Sequence, residues 1–208
     1  MRTLTVALAL AMSLKAAAAA ETVVVPGETS QDACAKIAEA KLQQWDQPRI
    51  AIQQTKTLRD GHASTVDVIL TSNTLYFSEG SLWHSANITM AKRAARSAAQ
   101  VEDSMGLTDC VRGDHVTEAG KLATAYTYSQ IGASGADAAQ GAIWIEDDNG
   151  LPIRQEMTET APPANRRVAV SMVATYSYND AVQVPTAAQH AEMGRLWAIN
   201  ALLTHQGR

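Results

Sequence analysis

From Ile50 onward the apolar residues of this chain recur at every second position, in runs separated by turn-forming residues. Ile50 and Ile52 alternate with Arg49, Ala51 and Gln53, Asp60–Gly61 makes a turn, and 63–70 (ASTVDVIL) reads as the returning strand. Ser72–Asn73 and Glu79–Gly80 mark the next turns, around 75–77 (LYF) and before 81–90 (SLWHSANITM). Short strand pieces around Cys110–Val111 and His115–Thr117, broken by Gly113 and Gly120, lead to 122–128 (LATAYTY). There Leu122, Thr124, Tyr126 and Tyr128 share one face. The clearest hairpin sets Ile143 and Ile145 opposite Trp144, turns at Asp148–Asn149–Gly150 and returns from Ile153. The last long strand, 167–178 (RVAVSMVATYSY), puts Val168, Val170, Met172, Ala174, Tyr176 and Tyr178 on one side. Strands joined by tight turns pair antiparallel, so a parallel α/β sheet is excluded.

Three segments break this period. Thr29 with Asp32 three residues later is a capping signal for a helix over 32–45 (DACAKIAEAKLQQW), stopped by Pro48. Cys34, Ile37, Ala38, Leu42 and Trp45 form its apolar stripe, and Lys41, within the stripe, is expected to reach outward. Residues 91–105 (AKRAARSAAQVEDSM) predict a second, polar helix, with Lys92, Arg93 and Arg96 as a solvated basic face. Residues 187–203 carry helical spacing at Met193, Leu196, Trp197, Asn200 and Leu203, a C-terminal docking helix or else a frayed tail.

The fold expected is α+β: a strongly curved antiparallel meander of about nine strands, too many to stay flat. It forms an open half-barrel, with the N-terminal helix across its concave side and the mid-chain helix packed on it. No internal repeat and no long linker divides the chain, so 21–208 reads as one domain.

Residues 1–20 (MRTLTVALALAMSLKAAAAA) have the layout of a secretory signal peptide: Arg2, an apolar stretch from Leu4 to Leu14, then small residues, with cleavage expected near Ala20–Glu21. The apolar stretch is half the roughly 20 residues of a spanning helix, so no transmembrane anchor is expected. Export places the chain in the periplasm or outside the cell, where Cys34 and Cys110, its two cysteines, are expected to pair. A net charge of −4 with no basic block excludes nucleic acid as the main partner.

The signal peptide, the first helix, the helix-interrupted meander and the late hairpin AIWIEDDNGLPIRQEM together resemble the periplasmic lipoprotein carrier superfamily, the LolA-like half-barrels. The stretch Ile143–Trp144–Ile145 to Gly150–Leu151–Pro152–Ile153 carries the specific match, with TAYTYS (124–129) and ATYSYN (174–179) as neighbouring strands. The resemblance implies an open half-barrel lined with apolar residues and lidded by helices, and it carries over no individual binding residue.

The strand aromatics Tyr76, Trp83, Tyr126, Tyr128, Trp144, Tyr176 and Tyr178 line a pocket for an apolar ligand if they share the concave face; otherwise they are core and cross-strand packing. The histidines His62, His84, His115, His190 and His205 are scattered without metal-ligand spacing, so neither a metal nor a cofactor is expected. Asp109, Asp114 and His115 cluster around Gly113, read as a turn, and no GxSxG accompanies them. Glu146, Asp147 and Asp148 read as a solvated hairpin tip rather than a Ca²⁺ loop, and the sequon Asn87–Ile88–Thr89 as accidental. Three functions fit: a non-enzymatic carrier of an apolar ligand or lipidated partner, an envelope protein-interaction module with a filled core, and a hydrolase on a cone-like α+β fold in which His115 or His62 meets an acid and a nucleophile.

Overall fold

A computed structural model describes residues 28–79, 82–88, 106–131, 138–159, 169–186 and 190–192. The expected leader 1–20, the helix expected over 91–105 and most of 187–203 lie outside the described residues.

Helix α1 (Ser30–Asp46) starts where the capping signal places it. The Thr29 hydroxyl accepts from the Asp32 backbone N–H at 3.2 Å, and the Thr29 N–H donates to the Asp32 carboxylate at 3.0 Å. The Thr29 hydroxyl also donates to that carboxylate at 2.7 Å, and this bond, together with the one from the Thr29 N–H, holds the Asp32 carboxyl below its ordinary range. At the other end Gln47 turns extended ahead of Pro48. The buried side of α1 is Ala33, Ile37, Ala40, Lys41 and Gln44. That face is rotated from the expected stripe: Ala38 and Leu42 are half-buried, and Lys41 is only 5% exposed. Lys41 does not reach outward; its ammonium lies 5.2 Å from the centroid of the Tyr128 ring, whose π face replaces water around the charge.

The strands are β1 (Ile50–Leu58), β2 (Ala63–Leu70), β3 (Thr74–Glu79), β4 (Leu82–Asn87), β5 (Leu107–Glu118), β6 (Lys121–Ile131), β7 (Ala138–Glu146), β8 (Pro152–Glu159), β9 (Ala169–Tyr178) and β10 (His190–Glu192). They form one open sheet in the order β10-β4-β3-β2-β1-β9-β8-β7-β6-β5. The antiparallel half-barrel expected from the alternation is therefore present, with α1 on one face. It is two meanders rather than one, β1–β4 and β5–β9, joined at its centre by antiparallel pairing of β1 with β9. β4 lies next to one edge of the sheet, and β5 forms the opposite edge.

Two local readings are corrected. β5 is a single long strand with register shifts between Thr108 and Val111 and between Arg112 and His115. Gly113 thus sits in a bulge, not a turn, where a Cβ would lie 3.3 Å from the Ala125 carbonyl oxygen. Within the segment expected to be helical at the C-terminus, His190–Glu192 is instead extended and pairs parallel with β4. The edge of β4 offers unpaired backbone groups, and three residues of chain satisfy part of them.

The β7–β8 turn forms as expected: Gly150 takes φ 71°, and the Leu151 N–H donates to the Asn149 side chain at 2.9 Å. Of its acidic residues, Asp147 and Asp148 are exposed as expected, whereas Glu146 is buried and accepts from Lys121 Nζ at 2.7 Å and from Asn149 at 2.9 Å.

The cysteines pair as expected, with a Cα–Cα distance of 5.2 Å across a sequence separation of 76. The bridge fixes the first turns of α1 to β5, and Ala33, Ile37 and Ala40 pack there on Leu107, Tyr126, Tyr128, Ile143 and Ile145. Closing a loop of this length removes about 4 kcal/mol of unfolded-state entropy. Reduction with dithiothreitol should therefore lower the urea midpoint by roughly 1–2 M. An unchanged midpoint would show that the bridge does not hold the helix on the sheet.

Candidate ligand-binding face

Paired residues of neighbouring strands share a face of the sheet. The registers therefore assign each strand residue to the inner face, which carries α1, or to the outer face. One inner row runs Tyr126–Ile143–Gln155–Ala174–Gln54–Val66 across six strands. A second runs Tyr178–Ile50–Leu70–Leu75–Ala86, and a third Tyr176–Ile52–Val68–Phe77–His84. A fourth is Tyr128–Gly141–Met157–Met172–Lys56–Ser64.

Of the seven strand aromatics, Tyr126, Tyr128, Tyr176 and Tyr178 lie together on the inner face. Tyr76, Trp83 and Trp144 do not. Tyr76 pairs with Ile69 and Ser85, Trp83 with Ser78, and Trp144 with Ala125 and Arg154, all on the outer face. The Arg154 guanidinium sits 5.3 Å from the Trp144 ring there. A period of two sorts residues within one strand, but the relation between strands is set by register, which the sequence does not print.

Two of the inner tyrosines, Tyr128 and Tyr176, are tied to one polar side chain that sequence reasoning missed. Gln155 Nε2 donates to the Tyr128 hydroxyl at 2.6 Å, and the Tyr176 hydroxyl donates to Gln155 Oε1 at 2.9 Å. The Tyr178 hydroxyl donates to the Pro152 carbonyl, and Gln54 Nε2 to the Met172 sulfur. Burial pushes Tyr128 up to about 12, and it pushes Tyr126, Tyr176 and Tyr178 upward as well. All four stay neutral at physiological pH. The inner face is thus an apolar surface on which the hydroxyls of Tyr128, Tyr176 and Tyr178 already have partners, an arrangement that favours contact with a ligand over reaction with it.

The hydroxyl end of the Tyr128 ring lies over Gly141, and a Cβ at Gly141 would overlap it. A glycine two residues before the Ile143–Ile145 alternation is the sequence signal for this approach.

Helix α1 packs chiefly on β5 and also touches β6, β7 and β8. Only Trp45, near its end, reaches the second cluster, built on Ile50, Leu70, Leu75, Leu151 and Tyr178. Ile52, Val68 and Tyr176 border that cluster half-buried, and Val66, Met157 and Met172 beyond them are half-buried too.

The histidine cluster has a different character. His115 Nδ1 lies 2.7 Å from Asp147 Oδ2, and the Thr124 hydroxyl donates to Asp147 Oδ1 at 2.7 Å. Arg112 lies 3.1 Å from His115 Nε2 and also reaches Glu28 at 3.3 Å. The hydrogen bond from Thr124, with His115 beside it, holds the Asp147 carboxyl below its usual value. Hydroxyl and carboxylate both stand on the Nδ1 side, and an arginine occupies Nε2, where a hydrolase needs its nucleophile. Asp147, not Asp109 or Asp114, is the acid His115 meets; Asp109 bonds Thr108 within its bulge, and His62 lies in the β1–β2 connection. Among the described residues no group of three metal-ligating side chains converges, and no helix is long and apolar enough to cross a membrane.

No family model matches the chain, and no curated protein does. Solved structures similar to it include the lipoprotein LppX of Mycobacterium tuberculosis, at 13% identity and TM-score 0.49, over 76% of this chain and 100% of that one. The MucA/MucB complex of Pseudomonas aeruginosa matches at 12% identity and TM-score 0.44, over 76% of this chain and 60% of the matched one. A LolA superfamily protein of Nitrosomonas europaea matches at 10% identity and TM-score 0.31, over 79% of this chain and 98% of that one.

Replacing Gly141 with alanine should drive the Tyr128 ring off β7, break its bond to Gln155 and destabilise the fold by about 1–3 kcal/mol. Thermal unfolding followed by near-ultraviolet circular dichroism reads both effects, and an unchanged Tm would refute the close approach. The raised tyrosines also set an alkaline limit. Unfolded tyrosines release protons near pH 10 while buried Tyr128 holds its proton to about 12, so stability is full below pH 10 and falls between pH 10 and 12. Urea midpoints at pH 9 and pH 11 measure the drop, which Tyr128→Phe should reduce.

Proposed function

We propose that this chain is an exported, periplasmic binding protein that holds an apolar, acyl-type ligand on the inner face of its half-barrel, beyond the reach of α1. One observation carries the reading: Ile52, Val68 and Tyr176, with Val66, Met157 and Met172 beside them, form a half-buried apolar floor on β1, β2, β8 and β9, the part of the inner face on which α1 does not chiefly pack. Its polar neighbours Gln155, Tyr128 and Tyr176 satisfy one another, so an incoming hydrocarbon strips no hydrogen bond from them. Each methylene buried there contributes about 0.8 kcal/mol before the cost of ordering the ligand. The Cys34–Cys110 bridge supports an oxidising compartment, in keeping with the signal-peptide layout of 1–20.

The ligand is an acyl chain, free or on a lipidated partner. Purification from the periplasm followed by native mass spectrometry and lipid extraction should recover a bound acyl species. An apo mass without uptake of a hydrophobic dye would overturn the reading and favour an interaction module with a filled core. Among variants, Ile52→Gln on the inner face should weaken fatty-acid binding at least about tenfold, the loss expected when a buried aliphatic side chain is made polar. Trp144→Phe on the outer face should leave it unchanged. Equal effects of the two would place the ligand elsewhere.

A further inference from the structure

Among the inner-face residues one charge stands apart. Lys56 occupies the fourth row between Met172 and Ser64, two residues along β1 from Gln54, and its side chain is half-buried. The other described lysines are engaged: Lys36 with Glu39 at 3.0 Å, Lys121 with Glu146 at 2.7 Å, and Lys41 over the Tyr128 ring. Lys56 has no hydrogen bond or ion pair among the described residues. Among the described carboxylates of neighbouring strands and turns, Asp67 accepts from Gln53 on the outer face, Glu156 from Arg154 and Asp60 from the His62 backbone, and Glu159, on the inner face two residues beyond Met157, has a partner of its own. Burial pushes the Lys56 ammonium below its ordinary value with nothing opposing the shift. A half-desolvated cation without a counter-charge, at one end of an apolar floor, is complementary to an amphiphile with an anionic head.

We propose that Lys56 is the head-group site of the trough and takes the carboxylate or phosphate of a single-chain anionic lipid, whose acyl chain lies along β1 over Ile52, Val68 and Tyr176. The inference rests on the binding role proposed above and adds the chemistry of the ligand's polar end. From Lys56 to Ile52 the strand rises about 13 Å, so head and chain are bound on one continuous surface. A phosphate or carboxylate oxygen beside the ammonium restores the solvation that the side chain lost, and the charge is kept.

The test compares palmitate and palmitoyl lysophosphatidylglycerol with uncharged monopalmitin, binding to the full chain by titration calorimetry. The wild type should bind the two anionic lipids about tenfold more tightly than monopalmitin, the strength of one charge-assisted contact at a partly buried site. Lys56→Met should bind all three alike, and Lys56→Arg should keep the preference. Equal binding of all three by the wild type, or a preference that survives in Lys56→Met, overturns the head-group assignment while the trough stands. If monopalmitin and the anionic lipids all fail to bind, the trough itself is refuted, and the assignment with it. Inorganic phosphate binding as tightly as the lysolipid, and lost in Lys56→Met, would mark a free-anion site and overturn the lipid assignment.

Discussion

The position of one helix decides what this sheet can do. α1 is fixed to β5 by the Cys34–Cys110 bridge and by Ala33, Ile37 and Ala40 packed on Leu107, Tyr126 and Ile143. With its N-terminal half anchored there, a helix of 17 residues spans only about 25 Å, whereas ten strands extend over some 40 Å. It cannot cover the whole inner face. The half under α1 is a filled core; the half built on β1, β2 and β9 keeps an apolar floor of half-buried aliphatic and aromatic side chains. The division follows from which strand the disulfide chooses, and it explains why one part of the face is closed core while the other keeps half-buried apolar side chains.

The polar character of the strands fits the same picture. A carrier surface rich in Tyr, Gln, Thr and Ser looks unsuited to hydrocarbon when read residue by residue. In the fold, Gln155 bridges Tyr128 and Tyr176, Tyr178 reaches the Pro152 carbonyl, and Lys41 lies against a ring, so these groups present their apolar parts and keep their polar atoms occupied. Gly141, without a Cβ, leaves room for the end of the Tyr128 ring that bonds Gln155. A floor built this way is rigid and neutral, and Lys56 is the exception that gives it a direction.

Features that depend on neighbouring residues were legible in the sequence. The Thr29–Asp32 cap, the turn at Asp148–Asn149–Gly150, the alternation of Ile143, Trp144 and Ile145, and the pairing of the only two cysteines all appear as expected. Features that depend on which strand meets which were not. Nothing local announces that β1 pairs with β9, and without that register Tyr76, Trp83 and Trp144 cannot be separated from the four tyrosines that share the helix side. Lys41 was misread because helical spacing gives its face but not the aromatic ring waiting opposite. β5 was misread because Gly113 marks a bulge as readily as a turn, and His190–Glu192 because the free edge of β4 outweighs local helical propensity. The hydroxyl, imidazole and carboxylate around His115 do meet, but their order around the ring is wrong for catalysis, which only coordinates reveal.

The central claim is that ligand occupies the inner face beyond α1 and nowhere else. Methyl NMR of the protein titrated with stearate bearing a nitroxide on its chain tests this directly, because the spin label broadens only nearby methyl signals. The account predicts broadening of Ile52, Val66 and Val68, with Ile37 on α1, Ile143 beneath it and Ile69 on the outer face left sharp. Broadening centred on Ile69, or none at saturating ligand, would contradict it.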